Sequence, residues 1–334
     1  MKENYKSLSM TCSVFKYSVA IRTLGLAGEK YDSMVQSISM QTVLPEKVMV
    51  YIAEGYAIPQ KQIFLEEYVP VQKGMVRQRA LRYDEIESDY ILFLDDDVFL
   101  PPNAVENLFN ALIEHRADVI SPDVFENSSR DFATKAKMSL VGKSFPRRDD
   151  KKWAYKALRN AGYTYNSSPS EPVYWSELNA GPCFFCRKDV FLSIRFEEEL
   201  WLDETPYALP EDQVMYYKFH KCGYKILTSY NSGIVHLDAG STNATNNAKE
   251  CNILYSESRN KIIFWHRFFY LPDCGNSFLR GIDLISIVVT YLIRLMLLLI
   301  KLKMPEVRSW LKGVADALEY INSIKYKEVP KIGN

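Results

Sequence analysis

The sequence predicts an α/β protein with a mainly parallel sheet flanked by helices and a helical C-terminal appendage. Three observations carry this. Short β-rich apolar runs alternate with helical patterns through the first 125 residues, the signature of βαβ units. One of those runs, "DYILFL", ends in Asp95-Asp96-Asp97, at the carboxyl end of a strand, where such sheets bind ligands. From about residue 246 the pattern changes to long helical periodicities. The organisation expected is an N-terminal extension at 1–14, a main domain at 15–245 with halves at about 15–125 and 171–245, and a C-terminal helical region at 246–334.

The elements follow in order. "KYSVAIRTLG", Lys16 to Gly25, reads as the first strand, and "KYDSMVQSISMQ" as a helix with Met34, Val35 and Ile38 on one face. "PEKVMVYIAEG", started by Pro45 and ended by Gly55, is a second strand, and "KQIFLEEY" (61–68) a short third. "GMVRQRALRYDEIES" (74–88) is rich in helix formers. After the strand "DYILFL" comes "PPNAVENLFNALIEHR", a helix with prolines at its start. "ADVISP" is another strand. Residues 127–171 are polar and basic, and read as an insertion or mobile excursion. "PVYWSELNAGPCFFCRKDVF" restores order, and "LPEDQVMYYKFHKCGYKIL" gives a helix and a strand.

Composition excludes little but is useful. Lys+Arg and Asp+Glu both number 41, so no net charge points to nucleic acid. Six scattered cysteines include the pair Cys183 and Cys186, but no second CxxC completes a zinc set. Reduced core cysteines in a cytoplasmic setting are the expectation. "MKENYKSLSM" lacks the apolar stretch of a signal peptide.

The aspartates raise the chemical question. Adjacent carboxylates repel, and burying them costs several kcal/mol unless something compensates. Alternation in a strand puts Asp95 and Asp97 on one side and Asp96 on the other. The pair would suit a hard divalent cation, magnesium or manganese. The other reading is a solvated acidic turn. Glu211 and Asp212 open an amphipathic helix, where the dipole favours acids. An ionised carboxylate there could also act as general base toward a hydroxyl. His236 ends the apolar run "SGIVH". It is either a structural histidine or an added metal ligand.

Several motifs in order resemble those of family-two glycosyltransferases of the GT-A fold, from about Tyr17 to Lys261. They are "YSVAIRTLG", "SISMQTVLPEKVMVYIAEG", "KGMVRQRAL", "YILFLDDDVFLPPNAV", "LNAGPCFFCRKDVF", "PEDQVMYYKFHKCGYKI" and "YSESRNKIIF". The resemblance implies a metal-dependent, inverting transfer from a nucleoside-diphosphate sugar to a hydroxyl of a glycan or lipid-linked saccharide. It makes 15–245 the catalytic domain, with 15–125 its nucleotide-binding half and 171–245 its acceptor half. Asp97 would ligate a divalent cation (Mn2+ or Mg2+), with His236 completing the shell. Asp95 would hold the metal shell or the ribose, and Asp96 is a second candidate for either. Arg79 would contact the donor diphosphate, and Thr23 and Glu54 the nucleotide base. Asp212 would be the catalytic base, with Glu211 beside it binding acceptor and Trp201 an aromatic platform for a sugar. Three positions depart from the family pattern. Ala53-Glu54 stands for paired aspartates, Ala80 for an asparagine, and Arg22 for a proline.

Two alternatives stand beside this reading. A nucleotidyltransferase acting on sugar phosphates also uses paired aspartates, but "IRTLGLAGEK" lacks its phosphate-loop spacing. A catalytically inactive sugar-binding module would be expected to have lost the aspartates or Asp212.

The run from Leu284 to Ile300 is short of the ~20 apolar residues of a span and holds Arg294 near its middle. A central arginine costs roughly 2.5–3.5 kcal/mol on insertion scales. The expectation is a helix over 282–303 in the membrane interface or against the catalytic domain, giving a cytoplasmic protein peripheral to the membrane. A true span and a buried dimer helix are the alternatives.

Overall fold

The computed structural model describes residues 15–59, 61–124, 127, 129–148, 150–237, 247–273 and 275–332. The expected N-terminal extension at 1–14, Cys12 and Cys274 lie outside them. Four parallel strands come first: β1 (Tyr17–Thr23), β2 (Val48–Ala53), β3 (Glu66–Val71) and β4 (Tyr90–Asp95). The two-residue β5 (Val98–Phe99) follows, then β6 (Val119–Pro122), β7 (Ser144–Arg147), β8 (Trp153–Ala157) and β9 (Tyr163–Asn166). The last are β10 (Val173–Ser176), β11 (Cys183–Arg187), β12 (Ile226–Ser229) and β13 (Val235–His236). Eleven of them form one sheet in the order β3-β2-β1-β4-β11-β6-β12-β10-β8-β9-β7, and β13 pairs with β5 separately. β11 runs antiparallel to both β4 and β6. This is the α/β architecture, mainly parallel and helix-flanked, that the sequence predicts.

Alternation along the central strands builds two cores. Val19 and Ile21 of β1 face α1 (Glu29–Ser39) and α2 (Ala104–Glu114), which bury Met34, Val35, Ile38, Val105, Leu108 and Leu112 there. Ala20 of β1 and Phe93 of β4 face the other side, packing with residues of α4 (Lys188–Ser193) and α5 (Glu211–Lys221). Each fully buried aliphatic side chain contributes about 1.5–3 kcal/mol.

Three expectations are corrected. Residues 74–88 form two short turns, at 75–79 and 84–85, rather than a helix. The Asp203 carboxylate accepts from Val76 N (3.1 Å) and Arg77 N (2.9 Å), Arg79 turns inward, and Tyr83 sits at φ 55°. A left-handed tyrosine cannot continue a helix. The third strand begins at Glu66, not Lys61, because the Glu66 carboxylate accepts from Ile63 N and Phe64 N and holds the preceding residues in a turn. Its Pro70 is tolerated because β3 is an edge strand. Residues 127–171 are no loose excursion: they supply α3 (Phe132–Leu140) and the strands β7, β8 and β9 that extend the sheet. Their strands are four or five residues long, and the alternating Tyr163 and Tyr165 are the main apolar signal.

The C-terminal region is helical, as expected: α6 (Asn247–Trp265), a short π-helical segment, α7 (Ser277–Ile300), α8 (Met304–Asn322) and α9 (Ile324–Glu328). α8 lies along α6 at Gly313, where a Cβ would meet Ser258 Oγ at 2.0 Å. Helix α7 is amphipathic in reverse. Its inward face carries Asp283 paired with Arg159, Thr290 bonded to Asn160, and Arg294 beside Glu257. Ile285, Val288, Val289, Leu292 and Met296 are exposed. Among the described residues it is the one helix long and apolar enough to cross a membrane by length and composition. Cys183 and Cys186 lie buried in β11, while Cys222 is exposed and Cys251 half-buried, so among the described cysteines the first two alone are core residues.

Candidate active site

The three aspartates at the end of β4 take three different partners. Asp95 is embraced by two arginines. Its Oδ1 accepts from Arg22 Nε at 2.5 Å and Arg79 Nη2 at 2.9 Å, and its Oδ2 from Arg22 Nη2 at 3.1 Å. Burial pushes the Asp95 carboxyl up, but the charges of Arg22 and Arg79 more than reverse this and hold it below the usual carboxylate range. Asp96 accepts from the Thr23 hydroxyl. Burial, opposed by that bond and aided by the charges of Asp95 and Asp97, takes it to about 6. Asp97 Oδ1 lies 3.0 Å from His236 Nε2. The β5–β13 pairing sets this contact, with His236 opposite Val98 and Leu237 N bonded to Asp97 O. The repulsion of the run is thus divided among an arginine pair, a hydroxyl and an imidazole.

Strand alternation placed Asp95 with Asp97, but the two carboxylates serve different neighbours. Glu211 joins Asp95 on the arginine pair: Arg22 Nη1 donates to its Oε1, and Arg79 Nη1 lies 3.4 Å from the same oxygen. Burial would raise Glu211; Arg22 and Arg79 outweigh it and keep the residue ionised below the usual range. Asp212, next along the first turn of α5, behaves oppositely. Burial and the adjoining Glu211 charge hold its carboxyl well above the ordinary value. Its Oδ1 is 3.6 Å from Arg79 Nη1 and takes no hydrogen bond among the described residues.

Supporting residues position these groups. Arg79 also donates to Gly181 O at 2.9 Å and lies over the Phe184 ring. A Cβ at Gly181 would meet Asp212 Oδ1 at 1.8 Å, so glycine is needed for that close approach. Gln78 bonds Thr23 O and Tyr51 O, tying the turn to the ends of β1 and β2. Arg22, Gln78 and Asp203 are the residues sequence reasoning missed. A lone charge within the apolar run of β1 was the available signal for Arg22.

The other expected residues lie apart. Glu54 is exposed on the turn after β2. Trp201 is only 2% exposed, with its indole donating to Glu199 Oε2 at 2.7 Å, so it is a core residue and offers no open face to a sugar. Glu199 in turn is held by Arg267 and Lys218.

A cleft of about 290 Å³ opens beside Asp212. Glu211, Asp212, Arg130, Lys143, Glu257 and Lys261 line it, with apolar groups between. Among the described residues no group of three or more His, Cys, Asp or Glu converges as a metal site. Asp97 and His236 remain a two-ligand oxygen and nitrogen set. That number suits magnesium or manganese, which take one or two carboxylates and fill the rest with substrate phosphates and water.

Residues 50–167 match the family model described as glycosyl transferase family 2. No curated protein matches the chain. Among solved structures, GalNAc-T7 crystallised with UDP, GalNAc and Mn2+ aligns at 13% identity and TM-score 0.47, over 84% of this chain and 55% of that one. S. aureus TarS aligns at 9% identity and TM-score 0.44, over 90% and 55%. This chain therefore spans about half the length of either. The matched stretch, less than half of the chain, holds Arg79 and the aspartate run, and over those residues the chain is similar to glycosyl transferase family 2.

Proposed function

We propose that the protein transfers a sugar from a nucleoside-diphosphate sugar to a hydroxyl of a glycan or lipid-linked acceptor, with inversion. The supporting observation is Asp212: a carboxyl of raised proton affinity, at the head of α5, on the wall of a cleft that an acceptor could enter. A general base works best with a pKa near the operating pH, and Asp212 is displaced in that direction. Glu211, kept ionised by Arg22 and Arg79, supplies part of the charge that raises it.

The donor would lie at the carboxyl ends of β1, β2 and β4, with Thr23, Glu54 and Asp96 toward the nucleoside. Asp97 and His236 would hold a divalent cation, whose chemistry is to neutralise charge developing on the leaving diphosphate. Arg22 and Arg79 fix Asp95 and Glu211, so the donor and acceptor sides share one charged framework. We place the protein at the cytoplasmic face of a membrane, touching it through 282–303, because α7 turns its polar side inward and its apolar side out.

Calorimetry against a panel of nucleoside-diphosphate sugars, with and without manganese, tests the reading. One donor should bind in a manganese-dependent way, and Asp97→Ala should weaken it by at least about 10–100-fold, the range for loss of a partner that only supports a metal ligand. Binding of no donor, or equal binding by Asp97→Ala, would overturn the assignment.

A further inference from the structure

The cleft beside Asp212 is cationic at its far side, and the transfer reaction does not require that. Lys143, Lys261 and Arg130 approach it from three parts of the chain: the turn before β7, helix α6, and the segment before α3. One local carboxylate answers them. Glu257 pairs with Lys143 Nζ at 2.8 Å and lies 3.9 Å from Arg294 Nη2. Its charge is thus shared before Lys261 is considered. Lys261 is 6% exposed, and its Nζ has one hydrogen bond, to Gly142 O at 3.3 Å. Among the described residues no carboxylate oxygen forms an ion pair with it. An ammonium group has three donors, so two remain for whatever enters the cleft. Burial lowers its proton affinity to about 8, opposed by the charge of Glu257 and aided by those of Lys143 and Arg294. A buried ammonium with one long hydrogen bond is costly unless an anion completes it.

We propose that Lys261, with Lys143 and Arg130, binds a phosphoryl group of the acceptor while its reacting hydroxyl faces Asp212. A tetrahedral phosphate can accept from cations arriving from several directions, and lysine serves phosphate as a point charge. The inference rests on the transfer reading for the orientation of the acceptor. It adds the substrate class: a phosphorylated saccharide or a lipid diphosphate-linked one.

The probe is inorganic pyrophosphate, titrated calorimetrically into the full chain in metal-free buffer. Without metal, Asp97 and His236 contribute little to binding it. Wild type and Asp97→Ala should bind alike. Lys261→Met should bind at least tenfold more weakly, and Lys261→Arg within about threefold of wild type. Circular dichroism checks that each variant is folded. If Lys261→Met does not fold, Lys261→Arg and Arg130→Gln decide: charge retained must keep binding and charge lost must weaken it. Equal pyrophosphate binding by the charge-loss variants overturns the inference, while manganese-dependent donor binding still supports sugar transfer. Conversely, charge-dependent pyrophosphate binding without any donor binding overturns the transfer reading and leaves a phosphate site. Displacement of pyrophosphate distinguishes the sources. Glucose 1-phosphate alone points to a soluble phosphorylated acceptor, and prenyl diphosphate in phosphatidylcholine vesicles alone to a lipid-linked one. Displacement by neither overturns the proposal.

Discussion

The guanidinium of Arg22, at the end of β1, is bonded to the carboxylate of Glu211, at the start of α5, 189 residues away in sequence. The same guanidinium holds Asp95, and Arg79 repeats both contacts. Two cations and two anions, all largely removed from water, thus join the strand carrying the aspartate run to the helix carrying Asp212.

Removing one member should be costly. Arg22→Met leaves Asp95 and Glu211 sharing Arg79, and breaking a buried pair costs about 3–5 kcal/mol. Urea unfolding should show a loss of that size. Adding Glu211→Gln should return part of it, since one unpaired charge is removed. Additive losses would mean that the two residues are energetically independent.

The pH dependence follows from the opposed shifts of Glu211 and Asp212. Asp212 must be ionised to accept a proton, and its carboxyl sits well above the ordinary value of about 3.9. Transfer, read as kcat/KM, should therefore fall as pH drops, on a limb above that of a free carboxylate. Glu211→Gln removes the neighbouring charge that raises Asp212, so the limb should move to lower pH. Asp212→Asn should abolish the base and cost about 10²–10⁴-fold in rate while leaving the fold intact. Near-normal turnover by that variant would remove Asp212 from the mechanism.

A second buried network anchors the appendage. Glu199, fully buried, is held by Arg267, just beyond α6, and by Lys218 of α5. Burial would raise Glu199, but Lys218 and Arg267 depress it below the usual range. A depressed carboxyl stabilises the fold above its unfolded pKa of about 4.3, and that contribution disappears as pH falls through the folded value. Arg267→Met should cost about 3–5 kcal/mol at neutral pH and flatten this acid dependence. Unfolding titrations at pH 7 and pH 3 measure both.

Helix α7 should carry the protein to lipid surfaces. Co-sedimentation with anionic vesicles is expected for the full chain. Replacing Ile285 and Leu292 with glutamate should weaken it about tenfold or more, because both side chains lie on the exposed apolar face. Unchanged sedimentation by the double variant would assign that face another role.

Much of the scaffold was legible because β1, β2, β4, α1 and α2 follow strict periodicities toward the two cores on either side of the sheet. The failures are physical. Residues 74–88 have helical composition, but a distant carboxylate, Asp203, captures the N–H groups of the turn, and Arg79 is drawn inward by Asp95 and Glu211. The strands within 127–171 are too short for their alternation to stand out from polar neighbours. Trp201 looked like a platform because burial of a tryptophan near acidic residues depends on a partner, Arg267, that sequence proximity does not reveal. Arg22 was read as a departure in the donor strand, yet its position marks the residue that spans both sides of the site.

The four-charge cluster also acts as a requirement for completeness. Arg22, Arg79, Asp95 and Glu211 come from four separate segments, and the stretch matched by the family model contains only Arg79 and Asp95. A nascent or truncated chain ending before α5 would hold two guanidinium groups around a single carboxylate, an unbalanced and hydrated centre. Only the arrival of Glu211 neutralises it, and that same arrival brings Asp212 to the cleft, so the cluster cannot be completed before α5 has joined the sheet, even though β12 follows it in the chain.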